Sequence, residues 1–353
     1  MGAELIDTIY FEEDISEHPR TLSILAKFKA ARTIPIKRFG ELFNQRKQNF
    51  RIQKSKPSLI LAQKHNGHVL QAPGGFGIGG TKNFYFSHMY NCVYDCRYCF
   101  LQGMFSSANY VVFVNFEDFD KQIERIINQH PEETVTFFSG YDCDSLALET
   151  ITGFAAHILP IFKNYPGSLL EFRTKSIQVN PLTSMKAISN CVIAYSLMPE
   201  VMSVALDNKA PSIKRRIETM SKLSKQGWKI GLRFDPLIHG ENWRALYKEL
   251  IEDVFRAIPQ KSIHSVSFGP LRFPKAMHRD IFKLYPEDPL FSGPLQKRGP
   301  IVAYRQEIEN EMADFCRQMF AKFIPDSIVF QCTPEGQSPE LENNERQTYS
   351  NNG

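Results

Sequence analysis

The 353-residue chain contains no apolar run approaching the ~20 residues that a membrane-spanning helix requires. Its opening residues, MGAELIDTIYFEEDISEHPR, lack the basic-then-apolar order of a secretory signal. The expectation is a cytoplasmic protein with no membrane partner. Cysteine is sparse, at seven residues. In a reducing compartment, clustered thiols more often hold metal or do chemistry than pair as disulfides. A formal net charge of +4 is only weak evidence for a polyanionic partner. No internal repeat is visible beyond an alternation of strand-like and helix-like segments.

What charge there is lies unevenly. Residues 43–57, FNQRKQNFRIQKSKP, carry Arg46, Lys47, Arg51, Lys54 and Lys56 with Phe43 and Phe50 between them. This pattern suits a phosphate backbone, or else it forms a solvated helix face.

From residue 81 onward the hydrophobic periodicity alternates between two and 3.6. Strands are expected at 84–90, 134–140, 168–175, 191–198, 229–238 and 262–273. Helices are expected over FEDFDKQIERIINQH, LALETITGFAAHILPIFKN, NPLTSMKAIS, PSIKRRIETMSKLSKQG and NWRALYKELIEDVFRAIP, with PEVMSVALDNKA as a long connection. Six such units in series call for parallel strands and right-handed crossovers, in an open sheet or a full or partial barrel. Functional residues then gather at the carboxyl ends of the strands.

This core is expected over 81–273. Residues 1–80 are read as an N-terminal extension that ends in PGGFGIGG (73–80). That run precedes a strand, whereas a dinucleotide loop follows one, so it reads as a flexible connection. Residues 274–333 are expected to form a helical and hairpin extension, with an amphipathic helix over 303–323. Residues 334–353 lack the apolar residues to fold and are expected to be disordered.

The window NCVYDCRYCFLQG (91–103) places Cys92, Cys96 and Cys99 at the end of the first expected strand. A cubane 4Fe-4S cluster has four irons, so three thiolates leave one iron with an open coordination position. The other reading is a structural zinc site with His88 as fourth ligand, which makes a zinc-stabilised, non-catalytic nucleic-acid-binding protein the alternative from another class.

The spacing C-x3-C-x-aromatic-C resembles the signature of the radical S-adenosylmethionine enzymes. Six β/α units resemble their partial TIM-like (β/α)6 barrel, here with N- and C-terminal extensions. The resemblance implies an open iron that chelates S-adenosyl-L-methionine, whose reductive cleavage yields a 5′-deoxyadenosyl radical. It also implies an electron donor such as flavodoxin or ferredoxin. Tyr98, before the last cysteine, is placed by the resemblance beside the adenine.

A narrower similarity rests on CRYCFLQG, LEFRTKS, APSIKRRIE, GWKIGLRFDPLIHGENW and VSFGPLRFPKAMHRDIFKLYP, in that order. Together they resemble the spore photoproduct lyase family over roughly residues 80–330. The family resemblance implies reversal of a UV-induced thymine dimer in DNA. It implies Lys175 on the S-adenosylmethionine carboxylate, Ser139 and Gly140 at its amino group, and Ser196 near its ribose. A flipped-out dimer would enter the barrel beside a hairpin at 288–305 that retains Lys297, Arg298, Tyr304 and Arg305. Prolines at 289, 294 and 300 argue against a long ladder there.

The sequence departs from the family in the hydrogen return. Tyr141 falls where the family has its donor cysteine, Cys143 lies two residues later, and Phe100 replaces a tyrosine of the relay. The candidates for returning the hydrogen are therefore Cys143, Tyr141 and Tyr98. A radical enzyme acting on another nucleic-acid lesion, an RNA base or a different substrate is the second reading. Arg233 and Asp235 are read as a pair in the barrel mouth that either binds substrate or closes the barrel floor. Cys191, Cys316 and Cys332 read as core.

Overall fold

The computed structural model describes residues 6–332. The expected tail over 334–353 lies outside the described residues.

The six expected strands are present as Lys82–Phe86, Val135–Ser139, Leu169–Thr174, Cys191–Ser196, Lys229–Leu237 and Ile263–Pro270, side by side in chain order. All five pairings are parallel. The strands Val135–Ser139, Cys191–Ser196 and Ile263–Pro270 are almost wholly buried, because crossover helices cover one face and interior side chains fill the other, whereas Lys82–Phe86 is mostly half-buried. A seventh parallel strand, Val329–Gln331, adds beyond Ile263–Pro270, and Leu70–Gln71 adds antiparallel on the other edge. This is a partial TIM-like barrel, one of the architectures that the alternation leaves open and the one that the resemblance implies.

Four segments differ from expectation. The expected helix 146–164 is split into Glu149–Thr152 and Phe154–Asn164 by Gly153, at φ +65°. The connection 199–210 contains the helix Glu200–Leu206 and a short strand, Asp207–Asn208. That helix buries Met202, Ser203 and Leu206 and leaves Val201 and Val204 exposed, so its apolar pattern has no clean stripe to read.

The N-terminal residues also build a sheet. Strands Thr8–Glu12, Arg32–Ile36 and Leu59–Ala62 pair in parallel, and Tyr110–Phe113 and Met89–Tyr90, from either side of the cysteine window, extend the sheet. The cysteine loop is therefore anchored between two sheets. The loop 73–80 is packed inward: the Phe76 ring lies 5.0 Å from Phe138 and 6.3 Å from Tyr141. The hairpin is short, with Leu295–Arg298 opposite Ile301–Tyr304 and the turn at Gly299 and Pro300.

Candidate active site

The cysteine loop starts at Asn91, held at φ +66°, a region that asparagine tolerates better than most residues. Its side chain fixes the turn by donating to the carbonyls of Ser107 (2.7 Å) and Asn109 (2.8 Å). Asp95 and Cys96 pair antiparallel with Asp207 and Asn208, and Gln102 donates to the Cys96 carbonyl. Arg97 bridges Asp95 (3.0 Å) and Asp288 (3.4 Å) and lies 4.0 Å over the Tyr285 ring. The loop is thus tied to the barrel on one side and to the C-terminal extension on the other.

Cys96 is buried and Cys92 and Cys99 are half-buried. The three thiols are close enough for the charge on one to be felt by the others. Burial pushes Cys92 up to about 12, with Lys54 pulling the other way. Burial also raises Cys96 and Cys99, and Lys175 opposes it at both. Two cations therefore stand beside the sulfurs to favour thiolates, the form that binds metal. The Tyr94 amide also donates to Cys92 Sγ at 3.4 Å.

Among the described residues, no three His, Cys, Asp or Glu side chains converge on a single-ion position. A lone zinc needs each sulfur ~2.3 Å from one point, whereas a cubane takes one thiolate per iron at separate corners. The donor set of three thiols on a loop, flanked by cations, fits the cluster. His88, the fourth ligand of the zinc reading, instead stacks on Phe154 at 4.0 Å. It is 1% exposed, and burial holds it neutral at about 3.

Around the loop the structure gathers several of the residues singled out in the sequence. The Lys175 ammonium lies 5.4 Å from the Tyr98 ring. Burial lowers its proton affinity, but the Cys96 and Asp207 charges outweigh that and keep it a firm cation. The Lys175 amide donates to Asp144 at 2.7 Å, and the same carboxylate accepts from Thr174 Oγ1 at 2.6 Å. Ser139 is 1% exposed and its Oγ has no hydrogen-bond partner among the described residues. Gly140 has φ +84°, and a Cβ there would stand 2.4 Å from Ser145 Oγ. The half-buried Ser196 gives its carbonyl to Arg216 at 3.0 Å.

Tyr98 donates its phenolic hydrogen bond to Asp207, which is also paired with Arg216 at 2.7 Å. Asp207 and Arg216 were missed in the sequence, and Lys54 was read only as part of a basic stretch facing phosphate or solvent. The first two gave no signal, since one lay in an unread connection and the other on a helix full of cations.

The two proposed hydrogen donors separate. Tyr141 lies in an aromatic group, 4.3 Å from Tyr85 and 5.6 Å from Phe100. Cys143 is 7% exposed and packs with Met89, Leu148 and Ile151 in the apolar cluster of the N-terminal sheet, behind the cysteine loop and within reach of the charges of Cys92 and Asp144.

Three further readings are corrected. Arg233 does not pair with Asp235: it forms an ion pair with Glu171 at 2.6 Å and donates to Ser265 Oγ at 2.9 Å, all buried. Alternation puts both residues on one face of the strand, but Arg233 is taken by the buried Glu171, whereas Asp235 lies 3.9 Å from Arg272, where the pairing with the next strand shifts register. Cys332 is not core: it is half-buried at the end of the last strand, within hydrogen-bonding reach of Asp235. In the hairpin, Arg298 is paired with Glu309, and the buried Tyr304 hydroxyl accepts from the His239 amide at 3.0 Å. Lys297 and Arg305 remain exposed there.

Comparison with known proteins places this arrangement. The spore photoproduct lyase family profile matches residues 83–328. Spore photoproduct lyase of Bacillus subtilis (strain 168) is 26% identical over 202 residues, covering 56% of this chain and 59% of the relative. The chain thus aligns to under two thirds of that protein's length. The enzyme of Geobacillus sp. (strain Y412MC61) is 23% identical over 249 residues, or 67% of this chain and 73% of the relative. Among solved structures, a spore photoproduct lyase mutant with bound AdoMet and dinucleoside spore photoproduct superposes with a TM-score of 0.80 at 19% identity, covering 93% of this chain and 98% of the other. The chain belongs to the spore photoproduct lyase family.

Proposed function

We propose that this protein is a radical S-adenosylmethionine lyase that reverts the spore photoproduct, a UV-formed thymine dimer, in DNA in the cytoplasm. The observation that carries the reading is the loop of Cys92, Cys96 and Cys99 at the barrel's strand ends, with Lys175 and the Tyr98–Asp207 pair beside it. Family membership and the relatives' activity support it. When bound, the 4Fe-4S cluster and S-adenosyl-L-methionine supply an adenosyl radical able to take hydrogen from the lesion.

The chain's own residues do the rest. Cys92, Cys96 and Cys99 hold three irons as thiolates. Lys175 offers its ammonium to the S-adenosylmethionine carboxylate as a charge-assisted donor. Ser139 Oγ, buried and unpartnered, and the tight backbone at Gly140 receive the amino group. Tyr98 is held against the adenine by Asp207, and Ser196 stands at the ribose. Phe76, Tyr85, Phe100 and Tyr141 form aromatic walls against which a flipped-out base stacks. Lys297 and Arg305 contact phosphates on the flank.

The hydrogen return falls to Tyr141 before Cys143, because the phenol lies in the aromatic group and the thiol lies in the N-terminal core. That same displacement favours a second reading, a radical enzyme of this family acting on a different nucleic-acid lesion. The test incubates the reduced, reconstituted protein with S-adenosylmethionine and DNA carrying the spore photoproduct, following thymine and 5′-deoxyadenosine by chromatography. Thymine recovery supports the lyase. Deoxyadenosine without thymine moves the substrate elsewhere, and unchanged iron content in Cys92→Ala removes the cluster assignment.

A further inference from the structure

The basic stretch noted in the sequence does not lie along the barrel mouth. Its helix, Phe50–Ser55, packs against the back of the cysteine loop: the buried Lys54 ammonium donates to the Cys92 carbonyl. Lys209 in turn donates to the Lys54 carbonyl at 2.9 Å. No acidic residue occurs between 42 and 57. Arg46, Lys47, Arg51 and Lys56 are exposed around an Ile52 that is 69% exposed. Arg51 is engaged by Glu287 at 3.1 Å and Lys56 by Asp7 at 2.5 Å, while Arg46 and Lys47 have no ion pair among the described residues.

This face is also separate from the hairpin. The ten-residue helix Lys275–Leu284 has its first amide on the hairpin, bonded to the Pro300 carbonyl at 2.9 Å. Its last carbonyl, that of Leu284, receives Arg51 at 2.8 Å. Ten helical residues span about 15 Å, so the two basic regions stand at opposite ends of one rod.

We propose that the face around Ile52, rimmed by Arg46, Lys47, Arg51 and Lys56, is the docking surface for an acidic one-electron carrier protein. An exposed apolar centre with a cationic rim is the anatomy of a small, transient protein interface, and charge of one sign steers an oppositely charged partner to it. A duplex gains nothing from the apolar centre. A carrier seated here is separated from a cluster ligand by a single side chain, Lys54. The inference rests on the cluster reading. In each encounter the carrier is oxidised by one electron and the cluster reduced by one, with no bond made or broken in this chain.

The test uses reconstituted holo-protein and oxidised flavodoxin, with binding followed by flavin fluorescence anisotropy against ionic strength. A short fluorescein-labelled duplex is measured in parallel, and iron content is checked in each preparation. The variant Arg46→Glu with Lys47→Glu changes only exposed side chains, and Ile52→Asp probes the centre. The expected result is flavodoxin affinity lower by roughly tenfold or more at low salt in both variants, with a flatter salt dependence in the first and duplex affinity unchanged. Absence of flavodoxin binding by the parent protein, or equal affinity in parent and variants, overturns the proposal. Loss of duplex affinity in place of flavodoxin affinity assigns the face to DNA. A preparation without iron overturns the cluster reading, and the proposal with it.

Discussion

Arg216 and Asp207 form an ion pair at 2.7 Å with both side chains buried, and the Tyr98 hydroxyl shares the same carboxylate. Asp207 pairs in register with Cys96, so this one residue links the cysteine loop, Tyr98 and the helix Ile213–Lys225. Burial disfavours its charge, but Lys175 and Arg216 hold its carboxyl below the usual range. Replacing it by Asn leaves Arg216 buried without a counter-charge, which costs about 3–5 kcal/mol. Asp207→Asn is expected to lower the urea midpoint markedly and to retain less iron after reconstitution. Iron retention and a midpoint equal to the parent's would remove Asp207 from this role.

Glu171 gives the pH dependence. Its burial raises the carboxyl pKa, but Arg233 and Arg173 more than offset that and hold it at about 2, against 4.5 for the ordinary group. The unfolded chain therefore binds the proton more readily. The stabilisation is complete above pH 4.5 and is lost as the pH falls towards 2. Glu171→Gln is expected to melt well below the parent at pH 7 and to show a shallower loss between pH 4.5 and 2. Thermal melts across that range check it, and parallel curves for the two proteins would contradict it.

Gly140 sets the strand-end turn that presents Tyr141. Its φ of +84° disfavours any Cβ, and one placed there would also meet the Cys143 carbonyl at 3.0 Å. Gly140→Ala is expected to cost at least 1–2 kcal/mol through backbone conformation alone, with further loss from the clash. The binding of S-adenosylmethionine, measured by calorimetry, should weaken in the same variant, because the turn cannot keep both Ser139 and Tyr141 in place.

Much of this was legible in the sequence because it depends on local pattern. The six strands follow from apolar runs, and the cysteine triplet follows from spacing within eight residues. What was not legible depends on long-range partners. Arg233 and Asp235 are two apart and looked paired, but Glu171, 62 positions away, takes the arginine. Asp207 lay in a stretch without periodicity, and its value comes from Tyr98, 109 positions away. The basic run 43–57 showed its charge but not which face of the molecule it would occupy. Tyr141 and Cys143 are two residues apart on a loop, where alternation does not apply, and only the turn at Gly140 decides which one reaches the aromatic group.

Lys64 offers a last test, in the wall between the two sheets. Its ammonium is buried, 5.0 Å from the Tyr90 ring, 5.1 Å from Phe113 and 5.8 Å from Phe119, and it donates to the Ser87 carbonyl at 3.5 Å. Burial lowers its pKa to about 8, against the opposing charges of Asp142 and Cys143. The unfolded chain keeps the proton up to 10.5. Between pH 8 and 10.5 the unfolded state binds more protons, so this lysine makes stability rise with pH across that window. Lys64→Met keeps a similar volume among the rings and removes the buried cation, a replacement that is often neutral or stabilising. Urea unfolding at pH 7.5 and pH 9.5 should show the parent gaining on the variant at the higher pH. A constant difference between the two at both values would mean that Lys64 stays protonated in the folded protein throughout.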